Sequence, residues 1–160
     1  MTTTAVPPAE ADTAPTPADR LRAAADYLHT RGWHQGGYYD PTADAAYPPA
    51  CTAGAIMLAA STTGFRPDHD LGDLFHPTPG ARAALYLLAA YLIEATGCDD
   101  AEDAGTYGHA ETVVTTWNDD PDRTPAEVTA ALHAAADDWD RIHRAARAAL
   151  DADPASVSVH

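Results

Sequence analysis

The sequence contains no lysine; nine arginines face 24 acidic residues, leaving a formal charge of −15. A field of that sign repels phosphate backbones, so direct nucleic-acid binding is not expected. Cysteine is scarce as well. Cys51 and Cys98 stand in unlike contexts with no Cys-x-x-Cys pair, which excludes a disulfide framework and a paired-thiolate zinc site and leaves two reduced thiols. Long apolar runs are missing: the longest, Ala83 to Ile93, has 11 residues, whereas a bilayer span needs roughly 20. Residues 1–16, mostly Thr, Ala and Pro, have neither a basic start nor an apolar core of signal-peptide length. Together these absences point to a cytoplasmic protein without a membrane segment.

The absent motifs narrow the chemistry in the same way. There is no Gly-x-Gly-x-x-Gly, no phosphate loop and no Gly-x-Ser-x-Gly elbow, which removes the commonest nucleotide folds and a hydrolase of that type. Eight histidines are scattered without His-Glu-x-x-His or His-x-x-x-His spacing, so no resident metal or other cofactor is expected. His109-Ala110-Glu111 matches half of a zinc-deaminase signature, but the Pro-Cys-x-x-Cys that must follow is lacking. Two enzymatic options stay open. Loop residues His69, Asp70 and His76 could converge with His109 or Glu111 on a metal. Cys51, at the start of a helix, would have its thiol pKa lowered by the amide dipole, with His34 or Asp40 as base.

What is present is helical punctuation. Three Thr-Pro pairs, at Thr16, Thr78 and Thr124, each place a capping threonine before a proline suited to the first helical position. The first opens a helix with Leu21, Ala24, Ala25 and Leu28 on one face, ended by Gly32. A Gly, Tyr, Asp and Pro loop from Gly36 to Pro49 leads to a helix over Ala50 to Ser61, where Gly54 admits a close neighbour. A second loop follows, over Phe65 to Pro79. The helix from Pro79 to Gly97 is apolar almost all round and is expected to be the central, most buried element. Glu111 to Trp117, with β-favouring Val113-Val114-Thr115-Thr116, lacks a partner strand and reads as a short helix. The last helix opens with the capping box Thr124-Pro125-Ala126-Glu127, and its apolar seam runs through Val128, Leu132, Ala135, Trp139, Ile142 and Ala146.

The expected architecture is therefore mainly α. A single-domain bundle of four to five helices with long irregular loops occupies residues 17–150, behind a disordered leader (1–16) and before a frayed tail (151–160). Trp139 and Ile142, bracketed by charges, are candidates for self-association.

Gly32-Trp33-His34-Gln35-Gly36, then Cys51-Thr52-Ala53-Gly54-Ala55, then Trp117-Asn118-Asp119 with Arg123-Thr124-Pro125-Ala126-Glu127-Val128 follow one another in an order that resembles a family of small proteins of actinobacteria and their phages, domain of unknown function 6197. The resemblance covers about Leu21 to Ala136. It implies no established activity, substrate or cofactor. The sequence departs from the family pattern in a longer, more acidic stretch between Gly64 and Thr78 and in a final helix that continues past the motif.

By their chemistry, Asn118 and Asp119 suit an Asx-type turn, with Arg123 paired to Asp119 or Asp122 beside the last helix. In a functional reading Trp33, Gln35, Cys51, Trp117, Asn118, Asp119 and Arg123 are binding residues, the indoles as apolar anchors and the polar groups for orientation. The leading expectation is a non-catalytic protein-binding or regulatory module, with a protein partner or a second copy of itself. A small enzyme or a ligand- or metal-binding protein is the alternative. Four acidic clusters, at Asp68/Asp70/Asp73, Asp99/Asp100/Glu102/Asp103, Asp119/Asp120/Asp122 and Asp137/Asp138/Asp140, keep a nucleic-acid mimic as the third.

Overall fold

The computed structural model describes residues 14–60, 77–97 and 106–152. The expectations for the leader before Ala14, the loop over 61–76 with its histidines, Cys98, the acidic cluster at 99–103 and the tail after Ala152 lie outside the described residues.

Thr16 caps α1 (Pro17–Arg31) through a reciprocal box. Its Oγ1 accepts the Asp19 amide at 3.1 Å, and the Asp19 carboxylate accepts the Thr16 amide at 2.9 Å. Those bonds hold the Asp19 carboxyl below its ordinary range. Gly32 ends the helix at φ 104°, a backbone angle that glycine adopts at little cost. The chain then runs through an irregular segment tied to itself at two points. His34 donates to the Ala50 carbonyl at 2.9 Å, and Asp40 to that of Pro49 at 2.8 Å. The buried Tyr27 hydroxyl secures the end of this loop by donating to the Pro48 carbonyl at 2.7 Å.

Cys51 caps α2 (Thr52–Ala59), which is therefore shorter at both ends than the expected 50–61. The long α3 (Pro79–Thr96) is capped by Thr78 and closed by Gly97 at φ 67°. Next comes α4 (Tyr107–Asn118), the helix expected over 111–117 but extended at its start to twelve residues. The β-branched run is accommodated in helical form, with Val114 buried in the core and Thr112 and Thr115 directing their hydroxyls back to the Gly108 and Glu111 carbonyls, at 2.8 and 2.9 Å. Finally α5 (Pro125–Ala152) spans 28 residues from its Thr124/Glu127 capping box. Among the described residues the chain is mainly helical and forms no strand.

The bundle packs α1 against α2, α3 and α5, with α4 against α2 and α3. Leu21, Ala24 and Leu28 of α1 share one core with Val128, Leu132 and Ala135 of α5 and with Ile56, Leu88 and Val114. Each fully buried valine, leucine or isoleucine of this set contributes about 1.5–3 kcal/mol. The most enclosed element is α2, in which Thr52, Ala53, Gly54, Ala55, Ile56 and Leu58 are all buried. That corrects the expectation for α3, whose buried stripe of Ala81, Ala84, Leu85, Leu88, Ala89 and Leu92 leaves Tyr86, Leu87, Tyr91 and Ile93 only partly covered. The physical reason is size. A two-turn helix with an alanine and glycine surface can be covered on every side by its neighbours, whereas an 18-residue helix is covered only along the face that meets them.

α1 and α5 run antiparallel. Near the start of α1, Arg22 reaches Asp137 and Asp140, both at 2.7 Å. Just past its end, Trp33 reaches Asn118, shortly before α5 begins. The bundle therefore has two distinct ends, and the sequence motifs gather at only one of them.

Candidate functional site

Three of the segments singled out in the sequence meet at the Asn118 side chain. This residue is the last of α4 and is fully buried. Its Oδ1 accepts the Trp33 indole N–H at 2.8 Å, the Thr52 backbone N–H at 3.0 Å and the Thr52 hydroxyl at 2.7 Å. Its Nδ2 donates to the His34 carbonyl at 3.2 Å and to Asp119 Oδ1 at 2.8 Å. The amide thus spends its full donor and acceptor capacity on the protein itself. The Thr52 amide is one of the N–H groups that the first turn of a helix leaves without an internal partner, so Asn118 also serves as a cap for α2.

A second layer of bonds surrounds that centre. Gln35 Nε2 donates to the carbonyls of Asn118 and Asp120, each at 2.9 Å, and Gly36, at φ 80°, donates its amide to Asp119 Oδ1 at 3.1 Å. Gly54 lets the Tyr38 carbonyl approach α2, since a Cβ there would lie 2.1 Å from that oxygen. The neighbouring Cys51 amide donates to the same carbonyl at 2.9 Å.

The turn after α4 is built differently from the expectation. Asp120, not Asn118 or Asp119, closes it, with its Oδ1 accepting the Asp122 amide at 2.9 Å and its carbonyl the Arg123 amide at 3.0 Å. Arg123 pairs with Asp120 at 3.5 Å and with Glu127 at 4.0 Å, in place of the expected Asp119 or Asp122. Asn118 remains inside the helix with its amide turned into the core, and Asp119 is drawn toward Gly36, so neither is free for that role. The guanidinium also lies over the Trp117 ring, 4.3 Å from its centre, while Nε donates to the Trp117 carbonyl at 3.1 Å.

Of the sequence candidates, Trp33, Gln35, Asn118 and Asp119 are joined directly, Cys51 adjoins them through Thr52, and Trp117 with Arg123 forms a neighbouring cluster. Thr52, Gly36 and Asp120, and the His34 carbonyl, belong to the junction but were not expected there. Thr52 lies inside a quoted motif, and a polar residue that opens an otherwise apolar helix was the available signal.

Cys51 contradicts its expected activation. The thiol is 2 % exposed and accepts the Gly54 amide at 3.4 Å. Burial outweighs that bond and pushes its pKa up to about 11. Asp40, offered as a base, instead accepts both the amide and the hydroxyl of Thr42, at 2.8 and 2.6 Å. Among the described residues no three His, Cys, Asp or Glu side chains gather as a metal site would require. A shallow groove of about 300 Å³ lies elsewhere, lined by Pro77, Pro79, Arg82, Ala83 and Tyr86, and includes none of the motif residues.

Trp139 is half-buried at the other end of the bundle, with His143 stacked on its ring at 3.6 Å. Ile142 is 50 % exposed and Leu150 62 % exposed; they are the exposed large apolar residues among those described. No helix of the described residues is long and apolar enough to cross a membrane.

These features define a small helical bundle whose signature residues form an internal polar clasp between two loops and a helix start. The chain belongs to a family of unknown function, DUF6197, whose model matches residues 12–138. No curated protein and no solved structure matches it.

Proposed function

We propose that the protein is a non-catalytic, protein-binding accessory module of the cytoplasm. The observation that carries this reading is the exhausted hydrogen-bonding capacity of Asn118. A side chain that donates and accepts as fully as it can within its own fold has nothing left with which to orient a substrate. The signature residues then make a rigid junction, and recognition falls to the outer surface, where apolar side chains are left on α5. The buried, unpaired Cys51 suits a reducing compartment.

Charge pairing argues against the mimic. Asp137 and Asp140 are held by Arg22, Asp138 by Arg141 and Asp120 by Arg123, so those acids are partly neutralised by the protein's own arginines. The test compares the untagged protein with an Ile142→Asp/Leu150→Asp variant by quantitative co-purification and native mass spectrometry. The reading expects a protein retained in stoichiometric amount by the parent and lost by the variant. A stoichiometric metal ion or small molecule on the parent, with no such protein, would overturn it.

A further inference from the structure

The apolar seam of α5 does not stop where the bundle stops. Val128, Leu132 and Ala135 are buried, and Trp139 is half-buried. The same face continues through Ile142, Ala146, Ala149 and Leu150, because steps of three and four residues keep one side of a helix. Yet every residue from 141 to 152 is exposed. α1 begins at Pro17, five residues before the Arg22 that meets Asp137 and Asp140, so beyond this point α5 has no antiparallel neighbour to lie on among the described residues. A helical segment of about a dozen residues is marginal in water without tertiary support. This segment also lies beyond the family match, which ends at residue 138.

Its charge is opposite to the rest of the molecule. Residues 141–152 carry Arg141, Arg144 and Arg147 against Asp151 alone, whereas the remainder has six arginines against 23 acids. Just before the segment stand Asp137, Asp138 and Asp140, so the helix is acidic where it leaves the bundle and basic farther out.

Deepening the binding-module reading, on which it rests, we propose that this extension pairs with the same extension of a second copy, antiparallel, to make a weak dimer. Antiparallel pairing sets large against small along the seam, Ile142 opposite Ala146 of the second copy and Trp139 opposite its Ala149, which allows close helix approach. It places Asp140 of each copy on the same flank as Arg147 of the other, and it holds the two acidic bodies at opposite ends. A parallel pair would align the three arginines with themselves and bring the two bodies together, against their mutual repulsion. The short contact puts the dimer at the small end of specific interfaces, hence weak and concentration-dependent.

The experiment is sedimentation velocity on the full untagged chain from about 1 μM to about 500 μM, the range suited to so small a contact. The average mass is expected to rise from monomer toward dimer, equally when residues 1–13 are removed. Ile142→Asp, an exposed position whose change leaves the core intact, is expected to weaken association at least about tenfold. In a Cys98→Ser background, mild oxidation is expected to join Ile142→Cys/Ala146→Cys chains much faster than chains with Ile142→Cys alone. A parent that stays monomeric, a dimer seen only after residues 1–13 are removed, an Ile142→Asp variant that associates like the parent, or equal cross-linking by the single cysteine would each overturn the pairing. A monomeric parent leaves the partner reading standing, because that reading falls separately, when α5 substitutions leave co-purification unchanged.

Discussion

The indole N–H of Trp33 meets the side-chain oxygen of Asn118 at 2.8 Å, across 85 positions of sequence, and that oxygen also accepts two bonds from Thr52. One amide therefore fixes the loop after α1, the start of α2 and the end of α4 relative to each other. Removing it strands several buried donors at once, each at a cost of about 1–3 kcal/mol. Asn118→Ala is expected to lower unfolding free energy by about 3–5 kcal/mol in urea denaturation. Trp33→Phe, which loses one donor and keeps most of the apolar surface, should cost about 1 kcal/mol.

Two glycines make a contrasting pair. Gly54→Ala would drive a Cβ to 2.1 Å from the Tyr38 carbonyl, a backbone atom that cannot swing aside. We expect a loss of about 2–4 kcal/mol from the forced shift of loop against helix. Gly108, in the first turn of α4, has nothing within 4 Å of its Cβ position. Gly108→Ala should be neutral or gain up to about 1 kcal/mol from helix propensity. Thermal melts of both variants check the pair.

How far the sequence carried the structure follows from which interactions are local. The caps at Thr16, Thr78 and Thr124 and the stop at Gly97 join residues three or four positions apart, and each was legible. The close approach at Gly54 was legible too, from its small size, though not the identity of Tyr38 as the neighbour. The Asn118 junction joins residues 66 to 85 positions apart, and spacing cannot reveal such a meeting. Cys51 misled because position at a helix start speaks for a lowered pKa, while burial, a tertiary property, decides the opposite. Arg123 was expected to pair with a carboxylate, and it does, but the turn geometry presents Asp120.

Alkaline pH should weaken the fold. Burial raises the Cys51 thiol from its ordinary 9.0 to about 11 and the Tyr27 hydroxyl from 10.0 to about 12. The folded chain holds these protons more tightly than the unfolded chain, so their stabilising effect is complete below pH 9 and is lost as pH rises through 9 to 12. Urea midpoints are expected to fall across that window, and Cys51→Ala to flatten the part between about 9 and 11. In a Cys98→Ser background, Cys51 should resist a thiol reagent at pH 8 until the protein is unfolded.

Arg22 bonds two carboxylates of α5 from α1, each at 2.7 Å. Both carboxylates raise its pKa, through hydrogen bonds that favour the charged form. All three side chains are partly solvated, so Arg22→Ala should cost only about 1 kcal/mol, less at high salt. Melting both proteins at low and high ionic strength checks this; a difference independent of salt would mean that packing of the arginine stem dominates.

The claim that the signature residues are spent on a structural clasp is tested most directly at the Trp33 indole proton, followed by hydrogen exchange in nuclear magnetic resonance spectra. The account predicts slow exchange in the parent protein and much faster exchange in Asn118→Ala, with the fold otherwise retained. Exchange at the rate of a free indole in the parent protein would contradict it and return Trp33 and Asn118 to the role of an open binding site.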